Sequence, residues 1–377
     1  MSLRSLGLPL ILAALPVAPA IAQPVQDTTP TPVAELPFAI TTVSTFQAPW
    51  AMAFLPDGKI LVTQKQGAII LFDPKSGDKK TLANTPAVVS AGQGAMMDIV
   101  LSPDFARSKK IYFSYAEAGE GKTNGVALAT ATLDEAGAAL GDVKVIFRAT
   151  PYIESGAHWS GRIAFSPDKK YLFFTNGERA KADPAQDPKS TLGKVLRLNL
   201  DGTPAKGNPL AAKGFHPAIW SYGSRNLTGI AFDKDGRLWE VEMGPLGGDE
   251  VNLIKPGTNY GWPKASNGSN YDKSDIPDHA QGDSFTPPKV FWNPSLAPAS
   301  MAYYNATLFP AWKNSLFITG LSGMALDRVA LDGETASKAD HWKLGMRLRN
   351  VRVGPDGALW LLEDGPNGKM LRLTPKG

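Results

Sequence analysis

A histidine between glycines is the first residue in the chain that could do acid–base chemistry. His158 lies between Gly156 and Gly161, immediately before a run of residues typical of a β-strand. An imidazole titrates near neutral pH, so His158 could act as a general base. A core histidine satisfied by the backbone is the other interpretation, and the motif alone leaves both open. The remaining three histidines lie near prolines or charged stretches, and we assign no role to His216, His279 and His341.

Cationic and amide side chains in three other segments could bind an anion. Arg225 and Asn226 are adjacent in a glycine-bounded loop and offer a fixed cation beside an amide, which suits an anionic or quinonoid ligand. Arg347 and Arg349 would share one face of a strand, where two guanidiniums repel each other unless an anion joins them. Gln93 stands between two glycines that let the backbone approach a ligand closely. A solvent-facing strand edge and an ordinary turn are the alternatives.

An acidic, glycine-rich segment indicates a cation site. Residues 243–250 read MGPLGGDE and run on to NYGWP at 259–263. Carboxylates and backbone carbonyls are hard oxygen donors, which suit Ca²⁺ better than a transition metal. A solvated acidic loop is the alternative interpretation.

Composition excludes several other kinds of chemistry. The 377 residues include no cysteine, which rules out a disulfide framework, a thiolate zinc site, an iron–sulfur cluster and a cysteine nucleophile. The chain has 39 Lys and Arg against 35 Asp and Glu, and no basic run long enough for a nucleic-acid footprint. With 37 glycines and 31 prolines, the chain is rich in turns, and long helices are not expected.

The N-terminus has the pattern of an export signal. Arg4 precedes an apolar stretch that ends in small residues at Ala20-Ile21-Ala22. The stretch is too short and too interrupted by proline to span a bilayer. We therefore expect residues 1–22 to be a cleaved signal peptide, with an uncleaved anchor as the alternative. Residues 23–35 should form a flexible leader and residues 36–377 a single catalytic domain.

The elements that must position these residues are short strands that follow near-identical turns. Six turns combine Pro, Asp, Asn or Gly and are followed by β-branched or aromatic runs; they lie at 55–58, 102–104, 166–168, 233–236, 310–314 and 354–357. All-β units that recur at this spacing predict a six-bladed β-propeller with four-stranded antiparallel blades. A pair of β-sandwiches is the alternative, but no linker divides the chain. In a propeller, loops at one end of the axis converge on a central pocket.

Taken in order, the motifs resemble those of the soluble quinoprotein sugar dehydrogenases. GQGAMMD, HWSGR, YGSRN, MGPLGGDEVNLIKPGTNYGWP, NPSLAPASM and RLRNVRVGPDG occur in this sequence between residues 92 and 357. The resemblance is to the glucose/sorbosone dehydrogenase family, including the aldose sugar dehydrogenases that use pyrroloquinoline quinone (PQQ). It covers roughly residues 36–375 and implies a six-bladed propeller with PQQ and Ca²⁺ on its axis.

The resemblance also implies roles for individual residues. His158 would take the proton of the anomeric hydroxyl while hydride passes to PQQ, and Arg225 would stabilise the charge that develops on the cofactor. Five further residues would contact or lie beside PQQ: Gln93, Asn226, Ser295, Arg347 and Arg349. The carbonyls of Gly244 and Pro245 would bind the Ca²⁺ that polarises the quinone. Glu250 and Tyr260 would hold a second Ca²⁺, and an exposed Trp292 would stack on the sugar.

Three positions depart from the family pattern. Ser322 stands where many members have a lysine that contacts PQQ, which removes one cation from the cofactor site. Met243 replaces a frequent polar residue before Gly-Pro, and Ser160 replaces a usual glycine. None of these changes removes the base, the Arg-Asn pair or the Gly-Pro element.

The sequence therefore predicts an exported, PQQ- and Ca²⁺-dependent dehydrogenase that oxidises aldoses to lactones. Its electron acceptor would be a quinone, a cytochrome or a dye, and it would be periplasmic or secreted, a monomer or homodimer, without membrane insertion. A Ca²⁺-dependent propeller hydrolase resembling a lactonase, and a non-catalytic binding propeller, are the alternatives.

Overall fold

The computed structural model describes residues 35–376, which are almost entirely β-structure. The predicted signal peptide and nearly all of the predicted leader lie outside these residues. Four short helical segments interrupt the strands: one α-turn, α1 (Phe105–Ser108), and three 3₁₀ turns (Asp183–Ala185, Ala211–Lys213 and Pro310–Trp312). Within the described residues, none of the helices has the length and apolar character that a membrane crossing requires.

The strands are numbered in chain order. They are β1 (Phe38–Phe46), β2 (Pro49–Phe54), β3 (Ile60–Gln64), β4 (Ile69–Phe72), β5 (Lys79–Thr81), β6 (Met96–Leu101), β7 (Lys110–Ala118), β8 (Asn124–Asp134), β9 (Ala139–Arg148), β10 (Ser160–Phe165), β11 (Tyr171–Asn176), β12 (Lys194–Asn199), β13 (Ile219–Tyr222), β14 (Leu227–Phe232), β15 (Leu238–Glu242), β16 (Leu246–Gly247), β17 (Asp249–Ile254), β18 (Gly268–Ser269), β19 (Val290–Trp292), β20 (Pro298–Tyr304), β21 (Ser315–Gly320), β22 (Ala325–Asp332), β23 (Thr335–Lys343), β24 (Leu348–Val353), β25 (Leu359–Glu363) and β26 (Gly368–Pro375).

Six four-stranded antiparallel sheets form the blades of a propeller, which confirms the predicted fold. Blades 1, 2 and 3 are β2–β5, β6–β9 and β10–β13; blade 4 is β14, β15, β17 and β19; blade 5 is β20–β23. Blade 6 is built from β24–β26 and, as its outermost strand, β1 from the other end of the chain. This pairing closes the ring. A small β16–β18 pair lies outside the blades.

Each of the six predicted turns joins the first two strands of a blade. The first strands, which are β2, β6, β10, β14, β20 and β24, are neighbours of one another around the axis. Each of them has an irregularity in its pairing near the end that lies away from the turn. Bulges of this kind redirect side chains, here at one end of the propeller.

The hydrophobic core is divided among the spaces between blades. Six clusters of buried apolar residues each combine side chains from two adjacent blades. The strand Ile60–Gln64 shows why: it is buried at its first four positions, without alternation, because both faces of its sheet are covered. No blade could bury these faces alone, so stacking fixes the ring and the end at which the loops converge.

Candidate active site

A cavity of about 290 Å³ opens on the axis, at the end of the propeller away from the six turns. It is bordered by the beginnings of the innermost strands and by the loops that precede them. Four of the predicted site residues line it: Gln93, Asn226, Arg347 and Arg349. The chain folding therefore brings together side chains that are more than 250 positions apart in sequence.

His158 lies beside this cavity, two residues before β10. Its Nδ1 is 2.5 Å from Oε1 of Glu178, and its backbone N–H donates to Oε1 of Gln93 at 2.9 Å. The residue is buried and its φ is 49°, in the left-handed region that non-glycine residues rarely adopt. Gly177 makes the close approach possible, because a Cβ there would lie 2.2 Å from the His158 carbonyl oxygen.

The pairing with Glu178 determines which imidazole nitrogen can act as a base. Nδ1 faces a carboxylate and therefore carries the proton, which leaves the lone pair on Nε2. Burial lowers the pKa of His158, and the bond to Glu178 opposes this effect only in part. Burial alone would raise the pKa of Glu178, but hydrogen bonds from His158 and from the amides of Ala182 and Lys181 bring it below its usual value. The pair is thus a neutral imidazole held by a carboxylate at neutral pH.

Glu178 was not among the residues proposed from the sequence, yet a signal for it exists. Strands β10 and β11 form a hairpin in which Ser160 pairs with Asn176. His158 comes two residues before the first and Glu178 two residues after the second, so the hairpin places them opposite each other. Counting the pairing outward from the turn at 166–168 comes within one residue of Glu178, and an irregularity between Ser160 and Ile163 accounts for the difference.

Arg349 lies on β24 and Arg347 immediately precedes that strand. Both arginines pair with the same carboxylate of the chain, that of Asp364. Arg347 Nε donates to Oδ2 of Asp364 at 2.9 Å, and Arg349 Nη2 donates to Oδ1 at 2.7 Å. Asp364 is therefore the anion that relieves the repulsion between the two guanidiniums. Both arginines still line the cavity and remain partly exposed to it, with side chains 46% and 22% exposed.

Aromatic side chains form much of the remaining wall. Trp50 and Trp159 line the cavity, and each is backed by a buried arginine, with Arg162 4.0 Å from the Trp50 ring and Arg179 3.2 Å from the Trp159 ring. Asn226 lines the same cavity and accepts a hydrogen bond from Ser160 at 3.1 Å. Aromatic rings and cations in the lining of one cavity suit a planar ligand that carries carboxylates.

The axis below the cavity is closed by a buried ion-pair network. Asp98 receives hydrogen bonds from Arg162 at 3.3 Å and from Arg352 at 2.6 Å. Burial lowers the pKa of Arg162 to about 9, with Arg352 and Arg349 adding to the shift and Asp98 opposing it. The network connects the innermost strands of blades 2, 3 and 6.

Arg225 does not line the cavity, and its position bears on the expected calcium ligands. Its Nη1 donates to the carbonyl oxygens of Met243 at 2.8 Å and Gly244 at 2.6 Å, and its Nη2 contacts the hydroxyl of Tyr271 at 3.1 Å. A Ca²⁺ on the Gly244 oxygen would lie against this guanidinium. This contact therefore disfavours the expected cation at the Gly244 carbonyl.

Buried carboxylates a few residues away lie close together, although within residues 35–376 no three Asp, Glu or His side chains already have the arrangement of a metal site. Glu240, Glu242 and Glu250 all lie within 3.4 Å of the amide nitrogen of Asn252, at 3.4, 3.3 and 3.3 Å. Burial raises the pKa of Glu242 to about 7 and that of Glu240 and Glu250 well above the usual value. Oε1 of Glu240 and Oδ1 of Asn252 are buried without a hydrogen-bond partner. Unsatisfied hard oxygen donors in a buried cluster suit a divalent cation.

Three other predicted residues have structural contacts in this conformation. Ser295 donates to the buried Asp249 at 2.8 Å, and the Tyr260 hydroxyl donates to the Leu253 carbonyl at 2.7 Å. Trp292 is 2% exposed and packs between blades 4 and 5, where its Nε1 donates to Asp327 at 2.8 Å. The exposed stacking surface expected of Trp292 is therefore not present, since a sugar cannot reach a ring buried between blades.

The departures noted in the sequence lie around the same end of the propeller. Met243 and Ser160 line the cavity, and so does Leu321, the neighbour of Ser322. Ser322 is not among the lining residues.

Comparison with known proteins agrees with the fold and the motifs. The family model for Glucose / Sorbosone dehydrogenase matches residues 46–372. The Aldose sugar dehydrogenase YliI of Escherichia coli (strain K12) is 37% identical over 336 residues, which is 87% of this chain and 90% of that protein.

Solved structures show the same similarity. The soluble aldose sugar dehydrogenase from Escherichia coli, in its apo form, is 35% identical, with a TM-score of 0.86 over 90% of this chain and 100% of that one. The PQQ-bound form of Aldose Sugar Dehydrogenase from Streptomyces coelicolor is 33% identical, with a TM-score of 0.73 over 92% of this chain and 100% of that one.

Proposed function

The chain belongs to the glucose/sorbosone dehydrogenase family, and we propose that it oxidises aldose sugars at the anomeric carbon to lactones with PQQ as cofactor. One observation carries the proposal: a neutral His158, held by Glu178, lies beside a cavity that exposes Arg347 and Arg349. Oxidation of a sugar by an anionic cofactor requires a base for the sugar hydroxyl and cations that bind the cofactor, and this site offers both. The PQQ-bound relative supports the choice of oxidant.

His158 is the catalytic base in this proposal. Its Nε2 takes the proton of the anomeric hydroxyl, while Nδ1–H remains on the Glu178 carboxylate and stabilises the imidazolium that forms. Glu178 is a positioning residue, because it acts through His158. Bound PQQ supplies the two-electron oxidant that accepts hydride from the anomeric carbon. The sugar carbon loses a hydride and its hydroxyl a proton, which gives the lactone.

The cavity residues hold and orient the cofactor. Arg347 and Arg349 would hold its carboxylates, and Trp50 and Trp159 would supply apolar ring surface beside it. Gln93 and Asn226 offer amide groups at the same wall. Arg225 lies one residue away from Asn226, and its charge favours negative charge that develops in the site.

We further propose that a divalent cation, Ca²⁺ by its ligand chemistry, binds at the buried carboxylates around Glu250. There it would neutralise carboxylates that burial otherwise keeps protonated. Gly244 and Pro245 are not assigned to it, because Arg225 already donates to the Gly244 oxygen.

Export to the periplasm or medium completes the proposal. Its support is the charge and hydropathy pattern of residues 1–22. We propose an electron acceptor of the quinone, cytochrome or dye class and a monomeric or homodimeric propeller, with residues 36–377 as its one catalytic domain.

The test is dye reduction by the purified mature protein with a panel of aldoses, with and without PQQ. We expect turnover only with PQQ, and its loss in His158→Ala while that variant still binds PQQ. His216→Ala is the matched control, because His216 lies outside the cavity lining. Full turnover by His158→Ala would refute the assignment of the base.

The lactonase-like alternative lacks support at the axis. It would need several carboxylates around a central metal, but Asp364 is the one carboxylate among the cavity-lining residues and is held by two arginines. The buried Asp98 below it is likewise paired with arginines.

A further inference from the structure

Charge around the axial cavity is unbalanced. Its lining residues include three cations, Lys65, Arg347 and Arg349, but one carboxylate, Asp364. Both arginines donate to that carboxylate, so it serves blade 6 alone. The cavity wall therefore carries net positive charge. Of the three lining cations, Lys65 is the one that does not pair with Asp364.

Lys65 is fixed in place by its backbone. It follows β3 directly, its N–H donates to the Ala48 carbonyl at 3.0 Å, and its own carbonyl accepts from Met96 at 3.2 Å. Nζ donates to the Gly92 carbonyl at 2.7 Å, beside Gln93. Within residues 35–376, Lys65 has no carboxylate at ion-pair distance. An ammonium has three N–H donors, so two remain for a ligand.

The missing counter-charge has a structural cause. In blade 6 the residue before the innermost strand, Arg347, lies across the hairpin from Asp364. In blade 1 the corresponding hairpin pairs Pro49 with Gln64, so Lys65 lies opposite Ala48. A methyl group stands where a carboxylate would have to be. Blade 1 adjoins blade 6, and the ammonium and the two arginines line the same cavity.

We propose that Lys65 binds a carboxylate of the cofactor and is the third cationic anchor of the site. This inference rests on the proposed function. It also accounts for the absence of a cation at Ser322, because the charge is supplied from blade 1 and not from blade 5. The ligand class is a rigid polycarboxylate whose acidic groups span the gap between Lys65 and the arginine pair.

Equilibrium binding of PQQ to the apo protein tests the proposal without reference to turnover. The readout is quenching of tryptophan fluorescence, since Trp50 and Trp159 line the cavity. Lys65→Gln should raise Kd about 10- to 100-fold, the usual range for one charge-assisted hydrogen bond. Lys65→Arg should recover most of the affinity. The difference between wild type and Lys65→Gln should shrink in 1 M NaCl, because salt screens a partly exposed charge pair.

Lys75→Gln is the matched control, since Lys75 is an exposed lysine of the same blade in the β4–β5 connection, outside the cavity. Thermal unfolding of each variant should match wild type, because the Lys65 side chain makes a single hydrogen bond to a carbonyl. If wild type binds PQQ and Lys65→Gln binds it equally well, the role of Lys65 is refuted while the proposed function stands. If wild type itself does not bind PQQ, both fail.

Discussion

Replacing Glu178 by glutamine tests the proposed mechanism most directly, because the structure fixes how the new amide must face. Oε2 of Glu178 accepts the backbone N–H groups of Lys181 at 2.5 Å and Ala182 at 2.7 Å. A glutamine must direct its oxygen to those two donors, which turns its NH₂ group toward Nδ1 of His158. Nδ1 then has to accept a hydrogen bond, so the proton moves to Nε2. The nitrogen that should act as base becomes a donor.

We expect kcat for Glu178→Gln to fall by about 10²- to 10⁴-fold, the usual contribution of a positioned general base. This corresponds to about 3–5 kcal/mol in activation free energy. PQQ affinity should stay within about twofold, because Glu178 does not line the cavity. The assay is stopped-flow dye reduction with saturating PQQ and sugar, alongside fluorescence titration of the cofactor.

Glu154→Gln is the matched control, since it makes the same change in charge at an exposed position four residues before His158. It should retain wild-type kcat. A Glu178→Gln enzyme that keeps more than a tenth of wild-type kcat would refute the tautomer argument. A loss of kcat accompanied by an equal loss of PQQ binding would show that Glu178 supports the cavity and not the base.

Three further predictions follow from other parts of the molecule. In the pH profile of wild-type kcat/KM, activity should fall on the acid side with a midpoint below about pH 6.5. The reason is that burial lowers the pKa of His158 and only the neutral imidazole accepts a proton. A midpoint above that pH would contradict the assignment. Trp292→Phe should lower the free energy of unfolding, measured in urea, by about 1–3 kcal/mol, because it removes the hydrogen bond to the buried Asp327. The KM for sugars should stay unchanged. Ca²⁺ added after chelation should raise the melting temperature of wild type but not of Glu250→Gln, as measured by scanning fluorimetry; equal shifts in both would place the cation elsewhere.

The fold could be predicted from the sequence because its signals are local. A Pro or Asp-Gly turn followed by a β-branched run is encoded within about ten residues, and each of the six turns proved to be the inner turn of a blade. Gln93 and Asn226 could also be identified from glycine-bounded segments before a strand, and Arg347 and Arg349 from their shared face at the start of one.

What the sequence did not reveal depends on which side chain lies opposite which. Whether Trp292 faces a sugar or the space between blades depends on the twist and stacking of blades 4 and 5, which no local pattern encodes. The interference between Arg225 and a cation at Gly244 likewise arises from a contact across a hairpin. Resemblance between motifs predicts what kind of role a residue has. Which side chains it contacts depends on strand register and blade packing in the folded protein.

The pairing of the first two strands of a blade nevertheless follows a pattern from which some of those partners can be deduced. In blades 1, 4, 5 and 6, the residue just before the innermost strand lies across from the residue just after the second strand, and in blade 3 the same pairing extends one residue further. Blade 3 places His158 opposite Glu178, and blade 6 places Arg347 opposite Asp364. The proposed base and a cation thus each face a carboxylate. Blade 1 places Lys65 opposite an alanine, which leaves its charge for a ligand. Because the turn and the irregularity between Ser160 and Ile163 together set the pairing, shifting the hairpin of blade 3 by one residue would separate His158 from Glu178 without altering either side chain.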